Sequence, residues 1–302
     1  MSADPGVTVV VPFLNGEPTI GALTRGLATQ LPHALGATEF VFVDNGSTDG
    51  GRAIVEASGL PDARVVDQPV PGVSAARNGG LRVARGQVMA VIDADCVPTR
   101  QWLRELVEPF RDASVLLAAG GLASYPPRTG AQRFAALYGL NDATRNIEMP
   151  VIPFANGRNM AVRVEAARAI GGWPEDMEKG DDIEFSYRLR QRFDCAIEYR
   201  PLALVFHQDR ESDEDLRRQA HGYGRGIAYL YDRHPEMLNW SWRESARRLR
   251  MTTRRRIGAV GSRVGAQVGR ADPAQAEFAR YLAMWDQWFW RGFFDARRRS
   301  RT

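Results

Sequence analysis

The chain predicts an α/β protein: a mostly parallel β-sheet flanked by helices, with a basic helical C-terminal extension. Three observations carry this. Short apolar, β-branched runs alternate with segments whose apolar residues recur every three or four positions, the order that builds a parallel sheet with helices on both faces. One run, Val88–Ile92, leads straight into Asp93-Ala94-Asp95, and strand C-termini are where such sheets bind ligands. Residues 243–302 hold 15 arginines against 5 acidic residues, while the first 242 hold 25 basic against 31 acidic.

In order, Val7–Val11 reads as a first buried strand, stopped by Pro12. Ile20, Leu23, Leu27 and Leu31 then recur at helical spacing. Glu39–Val43 is a second strand, ending in the polar cluster Asp44–Asp49, a loop and helix start with Ser47 or Thr48 as the expected cap. Arg64–Val66 is a short third strand, and Val73–Ala84 reads as a helix despite Gly79 and Gly80. After Val88–Ile92, a helix from Thr99 turns Trp102, Leu103, Leu106, Val107 and Phe110 inward. Phe185, Leu189 and Phe193 mark a helix that begins near Gly180-Asp181-Asp182-Ile183-Glu184. Leu202–Phe206 is a strand ending at His207, and Leu216, Ala220, Tyr223, Ile227 and Leu230 form a helix expected to pack back on the core.

Trp242, Ala246, Leu249, Thr253, Ile257, Val260, Val264 and Val268 then form one long amphipathic stripe with arginines crowding its polar face. Gly258, Gly261, Gly265 and Gly269 weaken that helix by about 1 kcal/mol each against alanine, or else permit close helix contact. An aromatic cluster follows (Trp285, Trp288, Phe289, Trp290, Phe293, Phe294), then Arg297, Arg298, Arg299 and Arg301. A basic amphipathic helix with aromatics reads as a membrane-surface element; the alternatives are a helical appendage packed on the core or a homodimer contact.

Composition excludes several classes. With 44% apolar and 25% charged residues, the 302-residue chain is ordinary for a globular protein. It has no run of 18 apolar residues, so no membrane-spanning helix is expected. The N-terminal MSADPGVTVVVPF lacks a basic region, so no secretory signal is expected. Cys96 and Cys195 lie far apart without metal-ligand spacing, which points to reduced thiols in a cytoplasmic protein. Lys179 is the only lysine, which excludes a P-loop and kinase-type lysine chemistry.

Two carboxylates at the mouth of a sheet suit Mg²⁺ or Mn²⁺ carrying substrate phosphates. By itself, Asp93-x-Asp95 reads first as a turn or a helix cap. Context comes from VVVPFLNGE, VFVDNGSTD, GVSAARNGGLRVARG and VIDAD, which stand in this order. They resemble the nucleotide-binding half of family 2 glycosyltransferases, which have the GT-A fold. FANGRNMAVRVEAARAIGGWPEDMEKGDDIEFSYRLRQ resembles the acceptor half of that family, and together the likeness covers about residues 7–210. It implies a Rossmann-like catalytic domain over 1–215, divided into a nucleotide-binding half (1–112) and an acceptor half (113–215). Residues 216–302 would form the helical, arginine- and aromatic-rich region.

The resemblance also assigns roles. Pro12 and Asn15 would flank the base and ribose of the donor, Asp44 would accept from a ring N–H, and the planar fork of Arg77 would reach the nucleotide. Asp93 would lie by the ribose or metal, Asp95 would ligate the metal on the diphosphate, and His207 would add a ligand. In the second carboxylate cluster the family carries Glu-Asp with the aspartate as general base. Here Asp181 replaces the Glu, so the base carries over to Asp182, with Asp181 supporting it or binding acceptor. Trp173 would cradle a sugar ring, and Asn156, Arg158 and Asn159 would touch donor sugar or diphosphate. The implied activity is metal-dependent inverting transfer from a nucleotide-sugar, a UDP-sugar first, to a hydroxyl acceptor that the residues do not name. Two rivals remain: a nucleotidyltransferase on a similar sheet, and a non-catalytic basic protein binding lipid or nucleic acid. No nucleic-acid recognition motif supports the nucleic-acid reading.

Overall fold

The computed structural model describes residues 6–149, 152–237 and 242–299; Arg301 and the side chains of Trp242 and Arg299 lie outside these residues. Its strands are β1 (Val7–Phe13), β2 (Thr38–Asp44), β3 (Ala63–Asp67), β4 (Val88–Ile92), β5 (Cys96–Pro98), β6 (Leu117–Ser124), β7 (Asn159–Arg163) and β8 (Glu198–His207). The helices are α1 (Ile20–Ala28), α2 (Gly51–Glu56), α3 (Val73–Val83), α4 (Trp102–Val107), α5 (Gly130–Tyr138), α6 (Ala143–Ile147), α7 (Val164–Ala169), α8 (Asp181–Phe193), α9 (Asp213–Arg233), α10 (Trp242–Gln267) and α11 (Pro273–Arg299).

The strands form one sheet in the order β3-β2-β1-β4-β7-β6-β8-β5. It is parallel across β3-β2-β1-β4. Beyond that it is mixed: β7 runs antiparallel to β4 and β6, β6 and β8 are parallel, and β5 is antiparallel to β8. Alternation along β1 splits the core in two, as the pleat requires. Val7, Val9, Val11 and Phe13 pack with Ile20, Leu23 and Leu27 of α1 and Trp102 and Leu106 of α4. Val10 faces the other way, with Ala76 and Leu81 of α3 and Phe185 and Leu189 of α8.

Three local expectations change. β1 runs through Pro12 to Phe13 because the β1–β4 ladder ends at Val10, beside Val91, and beyond it β1 pairs only with β2; a residue without an N–H is tolerated on that open side. Neither Ser47 nor Thr48 caps α2; the Asp49 carboxylate accepts from Gly51 N at 3.0 Å instead. β5, β6 and β7 lacked a sequence signal. The Ala/Gly-rich LAAGGLAS of β6 has little β propensity. It needs those glycines, since a Cβ on Gly120 would lie 2.2 Å from Asn159 Nδ2.

The chain divides into two compact units. One takes residues up to Tyr125 together with Asn141–Gln208; the other takes Pro126–Leu140 and the chain from Asp209 onward. In the second, Phe134 of α5, Leu216 and Ala220 of α9, and Tyr281 and Trp285 of α11 form a separate core. The α9 apolar stripe therefore packs in this helical core. So does much of the aromatic cluster: Trp285 and Phe293 are buried, a placement that takes them away from any external surface.

Candidate active site

The end of β4 and the three-residue β5 set the first carboxylates. Cys96 N donates to Asp93 O at 3.0 Å, which turns the chain sharply after Ile92. β5 then pairs antiparallel with β8, with Cys96 opposite His207. That register brings His207 Nε2 to 3.4 Å from Asp95 Oδ2. Two residues 112 positions apart in sequence thus meet because of a strand too short to leave a sequence signature. Cys96 itself is buried, and burial holds its thiol well above its usual pKa, so it is a packing residue.

Arg77 lies at the centre. It projects from α3 and is almost wholly buried. Its Nη1 donates to Asp181 Oδ2 at 2.5 Å and its Nη2 to Asp93 Oδ1 at 3.1 Å. One guanidinium thus ties α3 to the end of β4 and the start of α8. Sequence reasoning directed Arg77 to a nucleotide; in the structure its fork is filled by two carboxylates. Burial works against its charge, but Asp181, Asp93 and Asp182 outweigh it and raise the pKa. Gly157 makes room, since a Cβ there would lie 2.7 Å from the guanidinium.

The two neighbouring aspartates at the start of α8 have different environments. Asp181 is buried and paired with Arg77. Asp182 is half-buried; its Oδ2 accepts from Gly157 N at 3.1 Å and its Oδ1 from Ile183 N at 2.9 Å. Burial, then the charge of Asp181, push the Asp182 carboxyl up to about 6; the Gly157 N–H and the charges of Arg77 and Arg158 pull the other way. Burial also raises Asp93, with Arg77 opposing and Asp95 adding to the rise.

The first-strand loop is knitted to the second. Asn15, at φ 53°, donates its N–H to Ser47 Oγ at 3.0 Å and accepts Thr48 N on Oδ1 at 2.9 Å. Asp44 is buried at the end of β2 and accepts from Ser47 N at 2.8 Å. Pro12 is buried between these loops' strands.

Asn156 Oδ1 accepts from Arg158 N at 3.1 Å, and Asn141 Oδ1 holds Arg158 Nη1 at 2.7 Å. Two expectations are corrected here. Asn159 is fully buried: Nδ2 donates to Gly121 O and Ala203 O, and Oδ1 accepts from Trp102 Nε1. It staples β7 to its neighbours: both amide donors are spent and the side chain is wholly buried, out of reach of a sugar. Trp173 is 2% exposed, stacked on Phe185 with ring centroids 4.0 Å apart; it offers no open face to a sugar ring. Asn78, which sequence reasoning passed over, fixes that loop by donating to Trp173 O at 2.8 Å and accepting from Trp173 N at 2.8 Å. Gly157 and Asn141 were also passed over. Their parts in the site rest on backbone approach and on contacts distant in sequence.

Asp95 and His207 offer an oxygen and an imidazole nitrogen to a divalent cation, with Asp93 beside them. Among the described residues no three His, Cys, Asp or Glu side chains converge on a ready-made cation site. A two-ligand site fits ions that keep waters and substrate phosphates in their shell.

Residues 8–171 match the family model described as Glycosyl transferase family 2. Over 237 residues the chain is 30% identical to the pre-mycofactocin glycosyltransferase of Mycobacterium tuberculosis, covering 76% of this chain and 48% of that protein. The chain thus spans about half the length of this relative. It is 25% identical over 239 residues to glycosyltransferase AglE of Haloferax volcanii, covering 76% of each. The mannosyltransferase PcManGT of Pyrobaculum calidifontis, solved with GDP-Man and Mn²⁺, superposes with a TM-score of 0.60 at 20% identity, over 98% of this chain and 74% of that one. Glucosyl-3-phosphoglycerate synthase of M. tuberculosis, solved with Mn²⁺, UDP-glucose and phosphoglyceric acid, gives 0.57 at 24% identity, over 76% and 79%. These two likenesses carry the fold.

Proposed function

The chain belongs to the family 2 glycosyltransferases, and from that premise we propose that it transfers a sugar, with inversion, from a nucleoside-diphosphate sugar to an acceptor hydroxyl. The observation that carries this reading is the division of labour at the start of α8. Arg77 holds Asp181 in an ion pair, while burial, then the charge of Asp181, push the half-buried Asp182 carboxyl up to about 6. A base near that value is ionised at neutral pH yet strong enough to take a hydroxyl proton in the transition state.

Asp182 removes the proton from the acceptor hydroxyl. The hydroxyl oxygen attacks the anomeric carbon from the face opposite the diphosphate, and the nucleoside diphosphate leaves with the electrons of the broken bond. Asp95 and His207 would hold Mg²⁺ or Mn²⁺, with Asp93 paired to Arg77 beside them; when bound, such an ion neutralises charge developing on the leaving diphosphate. Arg158, held by Asn141, adds positive charge toward the same crevice. Asp44 accepts from the base and, with Asn15 and Pro12, frames the nucleoside. Uracil is the first candidate base. The neighbouring structures, one with GDP-Man and one with UDP-glucose, make both nucleotides part of the test.

Calorimetry of UDP-, GDP- and dTDP-sugars with and without Mn²⁺ tests the donor, and product analysis tests the reaction. Release of a nucleoside diphosphate with a sugar of inverted anomeric configuration is expected; release of pyrophosphate would instead mean nucleotidyl transfer. Asp95→Ala should abolish metal-dependent donor binding. Binding as tight and as metal-dependent as in the unaltered protein would remove Asp95 from the metal site.

A further inference from the structure

The long stripe on α10 does not face the protein. Leu249, Ile257, Val260, Val264 and, just past the helix end, Val268 are 54–68% exposed. At 100° per residue they fall within one arc of about 100°. The opposite side of α10 meets α11: Thr252 is buried, Arg255 forms an ion pair with Asp286, and the Arg248 guanidinium lies 5.5 Å from the Trp290 ring centre. This helix therefore has a satisfied inner face and an outer face that remains apolar.

Arginines border that outer face on both sides. Arg250 and Arg254 lie along one flank, Arg256 and Arg263 along the other; all four are exposed and make no ion pair among the described residues. Glu244 is the only acid on α10, and Arg247 and Arg248 already hold it. Gly258 and Gly261 do not serve close packing: a Cβ at either would meet nothing within 4 Å.

We infer that the outer face of α10 docks on an anionic lipid bilayer. The aliphatic stripe enters the headgroup–acyl boundary and the two arginine rows lie at the phosphate level on either side. An aliphatic ridge between cationic rows is the form of an interfacial helix. Charge excludes the obvious rival. Pairing the same face of two copies would bring unpaired arginine rows together and leave them unneutralised, whereas an anionic lipid surface neutralises them. Of the two features that together read as a membrane-surface element, the aromatic cluster is largely spent inside the helical core. The docking residues are aliphatic and lie one helix earlier.

Flotation of the full chain with neutral phosphatidylcholine vesicles and with vesicles containing phosphatidylglycerol tests this. Binding to the anionic vesicles is expected to exceed binding to the neutral ones at least tenfold and to weaken as salt rises. Ile257→Asn with Val260→Asn should lower it at least tenfold, and Arg250→Gln with Arg254→Gln by about 10–30-fold. These positions are exposed, so the melting temperature should stay within a few degrees. Equal binding to both vesicle types, or unchanged binding by both double variants, would overturn the inference. A concentration-dependent dimer in light scattering that Ile257→Asn with Val260→Asn abolishes would also overturn it, in favour of a second copy.

Discussion

An amide at position 182 keeps the shape of the carboxylate and loses its affinity for the proton. Asp182→Asn should therefore lower turnover by about 10²–10⁴-fold and leave donor affinity nearly unchanged. The rate of the unaltered protein should fall as pH drops below about 6, where Asp182 takes up a proton. The linkage has a sign. The folded-state value lies above the ordinary 3.8, so the stabilising contribution is complete below 3.8 and is lost as pH rises through about 6. Asp182→Asn should then melt higher than the unaltered protein at pH 7, by up to about 3 kcal/mol of stability, with the gap closing by pH 4. A variant equally active at pH 7 would refute the base assignment, and one no more stable would refute the raised value of the carboxyl. Asp181→Asn should behave differently, because it removes one of the two carboxylates that hold the buried Arg77; melting temperature and turnover should fall together. Glu39 gives the opposite sign. It is buried, and although burial works to raise its pKa, hydrogen bonds from Thr8, Arg85 and Arg64 lower it to about 2. Its contribution is present above 4.5 and lost as pH falls through about 2, so Glu39→Gln should cost about 3 kcal/mol, uniformly from pH 5 to 8. Thermal melts across that range check it.

Helix contacts turn on where a backbone must come close. A Cβ at Gly224 of α9 would lie 1.9 Å from Phe289 O, and one at Gly292 of α11 would lie 2.0 Å from His221 O. The two helices therefore touch backbone to backbone. Gly224→Ala should separate them, lowering the melting temperature and the hydrogen-exchange protection of both α9 and α11. Gly258 lies in the interior of α10 with nothing within 4 Å of a Cβ. Gly258→Ala should stabilise the protein by about 0.5–1 kcal/mol. The same substitution in the same helical unit thus has opposite expected signs, and equal shifts would show the packing to be otherwise.

At the scale of the molecule, the helical unit takes α5 from the middle of the chain and α9–α11 from its end. Phe134 of α5 is buried, with ring centres 5.8 Å from Tyr281 and 6.0 Å from Trp285. Removing residues 243–302 would expose Phe134 and the apolar face of α9. The truncated chain should aggregate, as judged by size-exclusion chromatography. Point variants on α10 leave that core whole and are the sounder test of membrane docking. A truncation that stays monomeric and binds donor as before would show that α5 and α9 do not need α11.

What the sequence determined by itself was whatever repeats locally. The β1, β2 and β4 runs, the α1 and α8 stripes, the Asp93-x-Asp95 pair at a strand end and the excess of C-terminal arginine all follow from spacing and side-chain type over a few residues. What only the tertiary structure decided was pairing at long range. Arg77 of α3 pairs with Asp181 at the start of α8, far away in sequence. His207 meets Asp95 through a three-residue strand. Trp173 and Asn159 are consumed in the core, because stacking and hydrogen-bond saturation depend on partners far away in sequence. An amphipathic stripe has the same spacing whether it faces a core or the outside, so only the packing of α10 on α11 showed that its apolar side is the outer one.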